Sequence, residues 1–134
     1  MAYVPFEKLR VYQLSERLSD QIWRMVTTWD NFAKDTVGKQ LVRAADSVGA
    51  NIAEGCGRGS YVDNRRFVRI ARGSLNETRH WLRRAFRRGF LTGEKIALLK
   101  TMLDELSPSL NAYLRSIDTA SRRRNRLDLD PHNQ

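Results

Sequence analysis

Arginine is the residue type with the clearest chemical potential in this sequence of 134 residues, because ten arginines fall between residues 58 and 88. That segment has no lysine and two acidic residues, Asp63 and Glu77, so it carries +8 of the formal net charge of +9. The planar guanidinium group binds phosphate and carboxylate through paired N–H donors, and it stacks on bases and aromatic rings. Eight of these arginines are candidate nucleic-acid-binding residues: Arg65, Arg69, Arg72, Arg79, Arg83, Arg84, Arg87 and Arg88.

The spacing of the arginines arranges them in rows along a helix. Two rows are expected, each on its own flank: Arg65, Arg69 and Arg72, and then Arg79, Arg83 and Arg87. Like charges one helical turn apart repel by a few tenths of a kcal/mol per pair. We therefore expect a partner, or acidic residues from another helix or subunit, to neutralise the rows.

Three interpretations of the arginine surface remain open at this stage. The first is a solvated face in which codon bias has replaced lysine by arginine. The second is an interface with another subunit or protein, and the acidic candidates for pairing are Asp20, Asp46, Glu54, Asp104 and Glu105. The third is binding of RNA or DNA, which would depend on phosphate contacts and be strongly salt-dependent. Nothing in the sequence resembles a zinc finger, an RNA-recognition motif or an obvious helix-turn-helix.

Other residues with potential for chemistry do not complete a site. Glu77 and His80 form a Glu-x-x-His motif, but a di-iron bundle needs two such motifs, and the second histidine, His132, lies near the C-terminus. Cys56 has no histidine nearby in sequence to activate it as a nucleophile, and a single cysteine excludes an intrachain disulfide. The sequence therefore predicts a protein that is not an enzyme, with no catalytic residue, metal or cofactor.

Composition restricts the class of protein. Hydrophobic residues make up 41% of the chain, which is enough for a packed core, and the length suits one domain. No apolar run approaches the roughly 20 residues that span a bilayer, and the first residues lack the order of a signal peptide. We therefore expect a cytoplasmic protein with no membrane partner.

Apolar residues recur every three or four positions, which predicts amphipathic helices and an all-α protein. Four helices are predicted, at about residues 9–28, 36–54, 61–88 and 93–120. Short connections make them an antiparallel, up-down-up-down four-helix bundle over residues 1–120. Residues 121–134 are predicted to be a flexible tail, basic and then acidic.

Capping residues and breakers refine the helix ends. The predicted N-caps are Asp35 or Thr36, Ser60 and Thr92, and the predicted C-terminal glycines are Gly55 and Gly89. Pro108 lies inside the fourth helix. It predicts a kink, or else a break in which Ser107 caps a new helix.

Specific motifs in the sequence resemble a known family. Residues 40–58, QLVRAADSVGANIAEGCGR, resemble the signature of the four-helix-bundle proteins encoded in 23S rRNA intervening sequences. Residues 6–12, FEKLRVY, and residues 66–77, RFVRIARGSLNE, resemble two further motifs of that family. The resemblance implies a bundle that assembles as a ring-like homopentamer. The family is similar to the accessory protein of diversity-generating retroelements, a basic pentamer that binds nucleic acid and a reverse transcriptase.

The resemblance also indicates which polar residues match the family signature, although it brings no catalytic residue. The matching residues are Arg43, Asn51, Glu54, Arg58, Arg66 and Glu77. We expect them to have a structural or interface role rather than to contact a ligand, with Asn51 and Glu54 joined to Arg58 and Arg66 in a polar network. The residues expected in the core beside them are Ala44, Val48, Phe67, Ile70 and Leu75.

Overall fold

The structure, a computed structural model, describes residues 4–129. Within this part of the chain four long helical segments pack together, and no strand is present. The all-α prediction is therefore confirmed. His132 and the rest of the acidic end of the predicted tail lie outside the described residues.

The four helices lie close to the predicted positions. A short 3-10 turn, Phe6–Lys8, precedes α1, Arg10–Val26. The second helix, α2, is continuous through three segments: Asn31–Ala33, a π-helical turn at Lys34–Gly38, and Lys39–Cys56. The third and fourth helices are α3, Tyr61–Arg87, and α4, Gly93–Leu129.

The start of α2 differs from the prediction. The Asp30 carboxylate accepts a hydrogen bond from the Ala33 N–H at 2.9 Å, so the helix begins about five residues before the predicted caps, Asp35 and Thr36. The π-helical turn then brings Gly38 against α1, where a Cβ on Gly38 would lie 2.7 Å from Val26 Cγ1. The wider turn and the missing side chain together let the early part of α2 pack closely on α1.

The ends of α3 follow the sequence signals, whereas the end of α2 does not. The Ser60 hydroxyl accepts from the Asp63 N–H at 3.2 Å, which confirms Ser60 as the cap of α3. Gly89, with φ of +82°, confirms the predicted stop after α3. The prediction for Gly55 is wrong, because α2 continues through it to Cys56, and the left-handed glycine of that connection is Gly59, with φ of +80°.

Helix α4 is longer than predicted. The Thr92 hydroxyl accepts from the Lys95 N–H at 3.2 Å, which confirms its predicted cap. The helix then runs through Pro108 without a break, so Ser107 does not begin a new helix. It also includes residues 121–129, which the sequence pattern assigns to a tail. This extension has no glycine or proline, and Arg124 pairs with Asp128 one turn later at 3.7 Å.

The four helices pack as a square. Helix α1 contacts α2 and α4, and α3 contacts α2 and α4, so α1 and α3 occupy diagonal corners. The connections after α1, α2 and α3 are short, which makes consecutive helices antiparallel. Diagonal helices α1 and α3 therefore run in the same direction. The Trp29 and Phe90 rings, with centroids 5.4 Å apart, join the two connections at the end of the bundle where α1 and α3 finish.

The core lies along the bundle axis. Its largest fully buried side chains come from all four helices: Leu18, Ile22, Met25, Leu41, Val48, Ile52, Val68, Leu75, Thr78, Leu99, Leu106 and Leu110. Burying one such aliphatic side chain contributes about 1.5–3 kcal/mol. Ala44, Val48 and Leu75 are core residues as predicted, but Ile70 is 46% exposed and Phe67 is half-buried. The buried stripe of α3 passes through Val68 instead.

Candidate nucleic-acid interface

The eight candidate arginines lie on α3 or directly after it. At about 100° per residue, six of them fall within an arc of about 80° on the flank that faces α4: Arg65, Arg69, Arg72, Arg79, Arg83 and Arg87. The prediction of two rows on different flanks is therefore wrong, because the two rows follow one another along the same flank. Arg84 lies on the outward face of α3, about 100° from the centre of this arc, and Arg88, directly after the helix, lies further toward α2.

Most of these arginines have no acidic partner in the described chain. Arg65 pairs with Asp118 of α4 at 3.2 Å, and Arg79 donates to the Asn76 side-chain oxygen at 3.1 Å. The others form no ion pair with residues 4–129: Arg69, Arg72, Arg83, Arg84, Arg87 and Arg88. Their mutual repulsion is thus not offset within the subunit.

The acidic residues proposed as partners are mostly engaged elsewhere in the subunit. The Asp46 carboxylate accepts from the Ser19 hydroxyl, and Glu54 pairs with Arg58 at 2.9 Å. Asp104 pairs with Lys100 at 3.2 Å, and Glu105 pairs with Arg10 at 2.5 Å. Asp20, in contrast, forms no ion pair within residues 4–129.

Arg58 and Arg66 share an aromatic partner at the junction of α2 and α3. Their guanidinium carbons lie 4.9 Å and 5.0 Å from the centroid of the Phe67 ring. Glu54 pairs with Arg58, while Arg66 pairs with Asp63 at 3.8 Å. Each exposed cation–π contact contributes about 0.5–1 kcal/mol, and the half-exposed ion pairs add less than about 1 kcal/mol each. The cluster thus orients the junction and leaves the flank of α3 that faces α4 free.

The remaining signature residues make separate contacts, so the predicted network is only partly present. The Asn51 amide donates to the Ser47 carbonyl at 2.8 Å and to the Ser47 hydroxyl at 3.0 Å, and it forms no hydrogen bond with Arg58. The Ser47 and Ser74 hydroxyls lie 3.1 Å apart and join α2 to α3.

Glu77 and Arg43 lie outside this network. Glu77 accepts from the Trp81 indole N–H at 3.3 Å, within α3. Arg43 is exposed, and it pairs with no acid in the described chain.

A buried polar contact near Gly55 has no counterpart in the sequence predictions. Asn64 is 3% exposed, and its amide nitrogen donates to the Tyr113 hydroxyl at 3.4 Å. Burial raises the pKa of Tyr113, and this hydrogen bond opposes the rise. The Asn64 side-chain oxygen has no hydrogen-bond partner among the described residues and faces Gly55. The position of Asn64 in the sequence could have indicated this contact, because a polar residue falls there on the buried stripe of α3.

The residues considered for metal or thiol chemistry make structural contacts. The Cys56 thiol donates to the Val4 carbonyl at 3.0 Å, and burial, followed by the charge of Glu7, raises its pKa. His80 packs edge-on against Trp81, with ring centroids 4.8 Å apart. Between residues 4 and 129, no group of three histidine, cysteine or acidic side chains could hold a metal ion. In the same range, no helix combines the length and apolar character required to cross a bilayer.

Known proteins share this architecture. One is the subject of a crystal structure described as a protein of unknown function from the S23 ribosomal protein family of Bacteroides thetaiotaomicron. It is 26% identical to this chain, with a TM-score of 0.72, over 78% of this chain and 95% of that one. No curated protein matches the sequence. The model of the family described as 23S rRNA-intervening sequence protein matches residues 7–112, which include all of α1, α2 and α3 and the first half of α4. This chain therefore belongs to the 23S rRNA-intervening sequence protein family.

Proposed function

We propose that this protein is a non-enzymatic, homo-oligomeric bundle that binds nucleic acid through the arginines of α3. The observation that carries the proposal is the set of six arginines between Arg69 and Arg88 that form neither an ion pair nor a side-chain hydrogen bond within residues 4–129; Arg79 is not in the set because it donates to the Asn76 side-chain oxygen. A folded subunit that retains such repulsion is stabilised when an anionic partner neutralises it.

The dimensions of the arginine surface suit a phosphate backbone. The distance along the helix from Arg69 to Arg88 is about 28 Å at a rise of about 1.5 Å per residue. A nucleic-acid strand in a duplex places one phosphate about every 3.4 Å along its axis, so this length corresponds to roughly eight phosphates. Arginine is suited to this contact because its planar fork matches the phosphate oxygens.

Salt dependence of binding tests the proposal directly. With six arginine–phosphate contacts, log K should fall against log salt with a slope of roughly −4 to −5. The variant Arg84→Glu, Arg87→Glu, Arg88→Glu should lose most of the binding to a labelled mixed-sequence RNA, measured by fluorescence anisotropy, and its slope should be smaller by about 2–3 units.

A matched control separates this surface from net charge. The variant Arg17→Glu, Arg24→Glu, Lys39→Glu changes the charge equally, but at exposed positions on α1 and α2. It should retain the wild-type slope. Negligible binding of the wild-type protein to both RNA and DNA at low salt would refute the proposal. An equal loss of binding in the two triple variants would also refute it, provided that both variants keep the wild-type circular dichroism spectrum.

A second candidate function, protein–protein interaction, is favoured by exposed apolar side chains beside the arginines. Phe86 on α3 is about half exposed, and with Ile96 of α4 it lines the groove between these helices. A nucleic-acid backbone does not need an apolar surface, whereas a docked helix does. The self-association implied by the family resemblance would place another copy of the chain at such a surface.

A further inference from the structure

Two exposed stripes on the bundle have the same spacing and complementary chemistry. On α1, Glu16, Asp20 and Trp23 lie on one face, and Trp23 is 57% exposed. A basic stripe on α3 consists of Arg79, Arg83 and Phe86. In both stripes the second residue follows the first by four positions, and the aromatic residue follows the second by three. Phe86 is 45% exposed. Each stripe thus consists of two like charges followed by a large aromatic side chain, with opposite sign on the two helices.

The stripes also match in direction and height on the bundle. Helices α1 and α3 run the same way and finish beside the contact between the Trp29 and Phe90 rings. Trp23 and Phe86 each lie within about two helical turns of that contact. A second copy related by rotation about an axis parallel to the bundle would therefore place its acidic stripe level with the basic stripe of the first copy.

The basic stripe borders an apolar groove that could receive a helix. Between α3 and α4, the groove is lined by Leu82, Phe86, Ile96, Leu99 and Leu103, with charged side chains on its edges. Arg83 forms no ion pair within the described residues. An aromatic anchor with two flanking carboxylates has the chemistry that such a groove accepts.

The acidic stripe lies beside Tyr12. Burial, a hydrogen bond to Glu16 and the charges of Glu16, Glu7 and Asp20, in that order, raise the pKa of Tyr12 to about 12. Tyr12 lines the cleft between α1 and α2, together with Glu16, Asp20 and Asp46. Glu16, Asp20 and Asp46 thus lie along one cleft, and the exposed Trp23 is one helical turn from Asp20.

We infer that the acidic stripe Glu16, Asp20, Trp23 of one copy docks on the basic stripe and groove of a second copy of this chain. This interface rests on the self-association in the proposed function and names its surfaces. Because the stripes lie on diagonal corners, a subunit cannot pair them with each other. Each copy uses one stripe for each neighbour, which is a heterologous arrangement that forms rings when its rotation closes. Arg83 then contacts the neighbouring copy instead of phosphate, and five arginines remain for phosphate, which lowers the expected salt slope to roughly −4: Arg69, Arg72, Arg84, Arg87 and Arg88.

Mixing two complementary variants tests the interface. The acidic-stripe variant is Glu16→Lys, Asp20→Lys, and the basic-stripe variant is Arg79→Glu, Arg83→Glu. Light scattering after size-exclusion chromatography should show the wild-type protein as an oligomer and each variant alone as a monomer. An equimolar mixture should recover an oligomer in which the two variants alternate, because an intact acidic stripe meets an intact basic stripe at one contact, and the two reversed stripes, lysine against glutamate, are again opposite in charge at the next contact.

Matched controls and outcomes make the test decisive. Two control variants carry the same charge changes at exposed positions outside the stripes. The control for the acidic stripe is Asp35→Lys, Glu94→Lys, and the control for the basic stripe is Arg122→Glu, Arg126→Glu. Both controls should keep the wild-type size. Retention of the wild-type size by both stripe variants, or the absence of any mixed oligomer on combining them, overturns this interface and leaves self-association intact. A monomeric wild-type protein overturns self-association itself. A basic-stripe variant that stays oligomeric but loses RNA binding would assign the groove to nucleic acid instead.

Discussion

Replacing Gly55 by alanine should destabilise the protein, although Gly55 is inside a helix where alanine is ordinarily preferred. The new Cβ would lie 2.7 Å from the Asn64 side-chain oxygen, 2.9 Å from Phe67 Cβ and 3.1 Å from the Asn64 carbonyl oxygen. Two of these three atoms are a backbone carbonyl oxygen and a Cβ, which cannot move without moving α3 itself. The substitution therefore forces α2 and α3 apart at the point where Asn64 is buried.

The size of the effect follows from two opposing contributions. Overpacking of a closely packed interior costs about 1–3 kcal/mol, and the upper part of that range applies when backbone must shift. Helix propensity returns roughly 1 kcal/mol when alanine replaces glycine. We expect a net loss of about 1–2 kcal/mol in the free energy of unfolding, which lowers Tm by roughly 3–10 °C for a chain of this size.

Urea unfolding followed by far-UV circular dichroism, at fixed protomer concentration, measures this loss. Gly73→Ala is the matched control, because Gly73 is also helical and a Cβ added there would meet no atom within 4 Å. That variant should gain about 0.5–1 kcal/mol. Adding Asn64→Ala to Gly55→Ala removes one of the three close contacts and should recover part of the loss. Equal gains for Gly55→Ala and Gly73→Ala would refute the argument that α2 and α3 need a glycine at their crossing.

Three other expectations concern the core, a helix cap and a tyrosine. Leu75→Ala should cost about 2–5 kcal/mol and Ile70→Ala less than about 1 kcal/mol in chemical denaturation, because Leu75 is buried and Ile70 is half exposed; similar costs would contradict the assigned stripe of α3. Ser60→Ala should cost about 1 kcal/mol in the same assay through loss of the α3 cap, and no loss would exclude that cap. In a spectrophotometric titration, Tyr12 should ionise near pH 12, and Glu16→Gln should lower this pKa. Since the folded pKa lies above the unfolded value, the stability that Tyr12 contributes is complete below about pH 10 and is lost between about pH 10 and 12; ionisation at the usual pH in the folded protein would contradict it.

Local signals predicted those parts of the fold that depend on local contacts. Ser60, Thr92 and Gly89 are near their helix ends as predicted, because a cap or a left-handed glycine is decided by a few neighbouring residues. Gly55 has the same local appearance as Gly89, yet its role depends on Asn64 of another helix. Sequence spacing alone does not distinguish a glycine that ends a helix from one that admits a neighbouring helix.

The arginines of α3 could also be predicted only in part from the sequence. Their location on α3 follows from the sequence, and so does the imbalance between arginine and acidic residues. The single flank could also have been predicted, because Arg72 and Arg79 are seven residues apart, and on one continuous helix a step of seven residues at about 100° per residue returns to nearly the same flank. The pairing of Arg65 with Asp118, in contrast, could not be predicted, since it depends on how far α4 continues beside the beginning of α3.

The length of α4 has a kinetic consequence. At about 1.5 Å per residue its 37 residues extend about 55 Å, against about 40 Å for the 27 residues of α3. Residues 122–129 are exposed along their whole length and include four arginines. An unsupported helical segment of this kind is held by local interactions alone, so it should exchange its amide hydrogens before the bundle does. For a protein that meets a polyanion, a basic arm of this reach enlarges the capture radius and raises the association rate more than it raises the final affinity.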